Sequence, residues 1–145
     1  MLSSGLFLLN SEKAQEMISE CKSLNWLILY IPDNSGLKDE FCSAVAENLP
    51  LDPPYDAVYG HNWDALDDSL LGGMDSLSED KILIIWNSAG KMQNNDAQSF
   101  EVVCDIFSNL TISLPDEKKR ENKPFQLTVI GIAPGIYDQS ARFRP

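Results

Sequence analysis

The chain has 145 residues and 43% hydrophobic content, enough for a single buried core in one domain, which removes disorder as the default. Its 22 acids against 11 bases leave a net charge of -11. That excludes nucleic acid as a direct partner, because phosphate binding needs a basic footprint, and it suits a basic protein partner.

Taken in order, 5–9 is a short apolar run expected as a buried strand, and Asn10-Ser11 caps the helix that should follow. In that helix Ala14, Met17, Ile18, Cys21 and Leu24 recur at i, i+3, i+4, i+7 and i+10, one apolar stripe facing a sheet. The segment 26–31 is nearly continuous apolar, the pattern of a strand covered on both faces, and the turn formers at 32–36 end it. Leu37, Phe41, Ala44, Val45 and Leu49 mark a second amphipathic helix. Pro50 stops it, and Pro53-Pro54 keep the chain irregular until Tyr55. After the stretch 59–73, treated below, 81–86 is another buried strand, 87–95 reads as connection, and 96–110 carries Phe100, Val103, Cys104, Phe107 and Leu110 at helical spacing. The charge run 115–124, bounded by prolines, reads as a solvated linker, and 127–132 as the last strand. Strands alternating with helices predict an α/β fold with a small, mainly parallel sheet in a single domain over 1–145. Within it, 1–24 is expected as an N-terminal strand–helix extension and 133–145 as an irregular tail.

The three cysteines each sit among apolar neighbours in helix-like segments, the pattern of reduced, buried thiols. With no basic leader and an N-terminal apolar run too short to cross a bilayer, a cytoplasmic location is expected, away from membranes.

The stretch Tyr59-Gly60-His61-Asn62-Trp63-Asp64-Ala65-Leu66-Asp67-Asp68-Ser69-Leu70-Leu71-Gly72-Gly73 organises the rest. No Lys or Arg occurs between Asp39 and Asp80, yet that segment holds 11 of the 22 acids, so the remaining residues are electrically balanced. All the net charge sits in one window, and this stretch lies inside it. Asn62 is suited to cap a helix over 63–71, with Gly72 as a left-handed stop. At 100° per residue Trp63, Leu66 and Leu70 share an anchoring side, and Asp64, Asp67, Asp68 and Leu71 a neighbouring, offered one. Three aspartates at i, i+3 and i+4 repel, at a cost of about 0.2–0.5 kcal/mol per pair. An apolar residue among such acids resembles an interface core beside charged anchors.

Catalysis is not expected. His61 is the only histidine, which excludes a triad or a multi-histidine metal site. Asp64, Asp67 and Asp68 lack the loop spacing of a calcium site, and no glycine-rich phosphate loop follows any strand. Neither a cofactor nor a metal is expected.

The same stretch, with its Gly-His-Asn-Trp-Asp-Ala-Leu core, resembles the signature of the barstar family, intracellular inhibitors of secreted bacterial ribonucleases. The resemblance implies a parallel three-stranded sheet packed with helices, and an acidic helix that plugs the ribonuclease active site. It implies that Asp68 stands in for an RNA phosphate, with Asp64 the acid one turn earlier. A further contact falls on the helix over 96–110, at Asp105 or Asn109. The chain departs from the family's type member at Val58, where that has tyrosine, at Asp67 and Gly73, where it has tryptophans, and at Leu71, where it has threonine. A different partner is therefore expected. Such relatives act as immunity proteins beside toxins of interbacterial competition, including contact-dependent growth inhibition.

The expected function is a non-enzymatic inhibitor or immunity protein, an antitoxin that forms a 1:1 complex with a basic toxin, a ribonuclease domain first. The expected partner face is Asp64, Asp67, Asp68 and Leu71, with Tyr59, Gly60, His61, Gly72, Gly73 and Met74 around them. Asn62, Trp63, Leu66 and Leu70 cap and anchor it. The alternative is an interaction module of the same fold whose partner is not a nuclease, or which acts away from the active site.

Overall fold

The computed structural model describes residues 3–54 and 62–134. Its elements run β1 (Gly5–Leu9), α1 (Ser11–Ser23), β2 (Leu27–Ile31), α2 (Lys38–Asn48), α3 (Trp63–Asp75), β3 (Lys81–Trp86), α4 (Ala89–Asn95), α5 (Ala97–Arg120) and β4 (Gln126–Ile132). The strands form one parallel sheet in the order β1-β4-β3-β2. The resemblance implied three strands, but β1 adds a fourth, pairing with β4 from Gly5 opposite Thr128 to Leu9 opposite Ile132. The strand–helix unit expected over 1–24 is thus built into the sheet.

Because side chains alternate across a strand, each apolar run supplies both faces at once, which is why these runs are continuous. On one face Leu8, Ile84, Trp86 and Val129 meet α2, α3 and α5 through Phe41, Leu66, Leu70, Phe100 and Phe107. On the other, Phe7, Leu83, Ile85 and Ile130 are covered by Ala14, Ile18 and Cys21 of α1. An aromatic group holds the thicker side: the Trp86 ring stacks on Phe100 at 5.6 Å and meets Phe41 and Phe107 edge-on. All three cysteines are buried.

Several expectations change. Leu24 follows the last residue of α1 and is 51% exposed, because the helix ends before the stripe reaches it. Leu37 is the N-cap of α2 and 48% exposed, its backbone N–H donating to Glu40 Oε1 at 3.1 Å. The supposed connection 87–95 contains α4, whose Ala89 and Met92 are buried. The charge run is no linker up to Arg120: α5 continues through Pro115, and Lys118 is only 7% exposed.

Candidate partner-binding helix

The first turn of α3 is fixed as its sequence dictates. Asn62 takes an extended conformation, and its Oδ1 accepts from the backbone N–H groups of Asp64 (2.9 Å) and Ala65 (3.2 Å). Asp64 in this turn also meets the positive end of the helix dipole.

Beyond the cap, the helix divides by side. Leu66, Leu70 and Met74 are at most 1% exposed and enter the core between sheet and α5. Trp63 is half-buried, its ring 6.2 Å from Phe41 and under the Lys38 ammonium at 5.2 Å. Asp64 and Asp68 are exposed, while Asp67 and Leu71 are half-buried along the seam with α5. Leu66 and Leu70 are in the core, as helical spacing predicts, whereas of the four residues expected to be exposed only Asp64 and Asp68 are fully so, and Leu71 packs against the core rim.

The end of the helix does not follow expectation. Gly72 is not a left-handed stop: α3 runs on to Asp75, with both glycines inside it. They are small for a tertiary reason. A Cβ on Gly72 would collide with the Asp52 carbonyl, and one on Gly73 with the Pro50 carbonyl and Leu51 N. The chain before the motif lies directly on the helix there, and the Asp52 N–H donates to Ser69 O at 2.9 Å. Gly73 is consequently buried, and Met74 is fully so, at 0% exposure. Neither belongs on a partner face: the next turn of α3 carries Met74 into the core beneath α5. Tyr59, Gly60 and His61 lie outside the described residues.

Two lysines flank α3, and scaffold contacts engage both. Lys38 lies over Trp63 and close enough to Asp96 to help lower its pKa. Asp96 caps α5, accepting from the Ser99 N–H at 3.2 Å, and hydrogen bonds from the Ser99 side chain and backbone chiefly hold its carboxyl below the ordinary range. Lys118, the other lysine, donates from Nζ to both Asp75 O and Asp75 Oδ1 at 3.0 Å, with Phe125 beside it. The middle of α3 is left anionic. Asp67 registers this: its carboxyl is pushed up, first by burial, then by the charges of Asp68 and Asp64.

Asn109 and Ser113 of α5 face Asp67 and Leu71 across a narrow cleft. Asp105, one turn before Asn109, is exposed and does not line it. Sequence reading missed Lys118, although Leu110, Leu114 and Lys118 continue one stripe at steps of four, which was the available signal.

Among the described residues there is no cluster of metal-ligating side chains, and no helix long and apolar enough to cross a membrane. The fold is a small parallel α/β domain, with Asp64 and Asp68 of α3 exposed on its surface. A family model described as Barstar (barnase inhibitor) matches residues 34–130, more than half of the chain, and the chain belongs to that family. The match starts between β2 and α2 and ends within β4. Family members are inhibitors rather than enzymes, and the family binds a ribonuclease, barnase. No curated protein and no solved structure matches the chain.

Proposed function

We propose that the protein is an immunity protein of the cytoplasm that binds a basic ribonuclease toxin one to one and blocks its active site with α3. The observation that carries this reading is the exposure of Asp64 and Asp68 on a helix whose opposite side, Leu66, Leu70 and Met74, is locked in the core. A pocket that holds RNA phosphates is basic. A carboxylate on a rigid helix can occupy it with charge-assisted hydrogen bonds and loses little entropy on docking. Asp68 is the central residue of the plug, Asp64 its neighbour one turn back, and Leu71 an apolar contact beside them. The departures at Asp67 and Leu71 set a partner different from that of the family's type member. The membership in a family of ribonuclease inhibitors supports the same reading.

The test is inhibition of a basic ribonuclease toxin domain by titration with the purified protein. The expected result is an end point at one equivalent, with an association rate that falls steeply as salt is raised from low to physiological ionic strength. Binding with RNA cleavage intact, or a rate indifferent to salt, would contradict active-site plugging.

A further inference from the structure

The two edges of the sheet differ. Strand β1 is buried along its whole length, whereas β2, at the other end of the order β1-β4-β3-β2, is half-buried from 27 to 29 and exposed at Tyr30. The segment 24–31 around it holds no charged residue and no proline, the devices that ordinarily blunt an edge. Among the described residues the exposed large apolar side chains are Leu24, Tyr30 and Leu37, which lie before, on and after this strand. Its backbone is also set to pair. The Ile31 carbonyl turns toward β3 and accepts from the Asn87 N–H at 3.3 Å, so alternation sends the N–H and C=O groups of Ile28 and Tyr30 the opposite way, away from β3. Ile28 packs on the α1 side of the sheet and Leu27 and Leu29 on the other, which leaves half-exposed apolar surface on both faces. Where β2 ends, a cleft of about 460 Å³ opens against α2, lined by Pro32, Asn34, Ser43 and the carboxylates of Asp39, Glu40 and Glu47, with no basic residue.

We propose that the β2 edge is a docking site for an extended segment of a basic partner protein, which adds a fifth strand to the sheet and places a lysine or arginine in the acidic cleft against α2. Main-chain pairing with Ile28 and Tyr30 supplies affinity, and side chains supply selection: apolar residues against Ile28 and Tyr30 on the α1 face, a base beyond Leu29 on the α2 face. Charge decides the occupant. A second copy of this chain would pair antiparallel about a two-fold axis normal to the sheet. That keeps both α2 helices on one face and turns their acidic clefts toward each other with no base between them. A basic segment converts the same carboxylates from repulsion to attraction. The site shares no residue with α3, so it stands apart from the plug and neither needs it nor excludes it.

The test needs no toxin. The whole protein, labelled for NMR, is titrated at low salt with the blocked peptide acetyl-Lys-Val-Thr-Val-Thr-Val-Lys-amide, whose terminal lysines reach the cleft in either strand direction, and in parallel with the same peptide carrying glutamate at both ends. Amide hydrogen exchange reads the pairing. The expected result is that the Ile28 and Tyr30 amides exchange readily in the dilute protein and become saturably protected by the lysine peptide alone. Tyr30→Pro, which removes one outward N–H and leaves the ladder to β3 intact, abolishes the protection at Ile28. Glu47→Lys, an exposed change in the cleft that leaves the strand untouched, weakens the lysine peptide at least about two-fold. Protection in the dilute protein alone would mean that the chain covers its own edge, and protection that grows with protein concentration would mean a second copy; either overturns the proposal. So do equal binding of the glutamate peptide and the absence of saturable protection at millimolar peptide.

Discussion

Replacing Gly73 with alanine reverses the usual sign of a helix substitution. Inside a helix, Gly→Ala ordinarily stabilises by about 1 kcal/mol, because glycine has more backbone freedom to lose. Here the added Cβ runs into the Pro50 carbonyl and approaches Leu51 N to 2.6 Å, so the obstacles are backbone atoms, not a flexible side chain that can turn away. Relief requires moving the segment around 50–52 off the helix, and the Asp52 N–H to Ser69 O bond goes with it. Overpacking costs about 1–3 kcal/mol and a lost hydrogen bond about 1 kcal/mol, against a gain of about 1 kcal/mol, so the net loss is about 1–3 kcal/mol. For a chain of this length that lowers Tm by roughly 4–12 °C. Thermal and urea unfolding at constant protein concentration read the effect. A Gly73→Ala protein as stable as the parent, or more so, would refute the close approach and restore the simpler view of Gly72-Gly73 as a helix terminator.

Other perturbations report on the surroundings of the site. Lys118→Ala removes a buried cation from Asp75 and should cost about 2–3 kcal/mol in urea unfolding, more than the few tenths expected of an exposed ion pair. Asp67 has a raised folded-state pKa, so the native state binds its proton more readily than the unfolded chain does; stability from this group is fully present below its unfolded pKa and declines as pH rises through the folded value. Asp67→Asn should therefore raise stability at neutral pH, by about 0.2–0.5 kcal/mol per like-charge pair relieved, and flatten that decline. For the thiols, burial first and then Glu20 push Cys21 up to about 11, and Cys42 and Cys104 are buried as well. A thiol reagent at pH 8 should label none of the three in the native protein within minutes, and all three in denaturant.

The sheet was legible because a strand buried on both faces has a pattern that hardly anything else shares: 5–9 and 81–86 have the very bounds of β1 and β3, and the other two strands shift by one residue. The anchoring side of α3 was legible for a similar reason, since Leu66 and Leu70 at i and i+4 must share a side and three aspartates cannot be buried beside them. What sequence spacing hides is contact between distant segments. Gly72-Gly73 looks like a stop because nothing in the local pattern says that Pro50 and Asp52 will lie on the helix. Lys118 looks solvated because its partner is the C-terminal residue of another helix, and Pro115 looks like a boundary although α5 passes through it. Helix α4 escaped because seven residues with two buried apolar side chains are too few to show a period. That Asn109, and not Asp105, lines the cleft with Asp67 and Leu71 likewise needed the facing of α3 and α5.

Exposed on a rigid helix and clear of the core, Asp68 separates binding from folding. With a basic ribonuclease toxin that the parent protein inhibits, the Kd and the Tm of Asp68→Ala are measured side by side. The expected result is an affinity loss of at least about 30-fold, the mark of a residue costing about 2 kcal/mol or more at an interface, with Tm within about 2 °C of the parent. Unchanged affinity, or a loss of affinity no larger than a parallel loss of stability accounts for, would contradict the assignment of α3 as the plug.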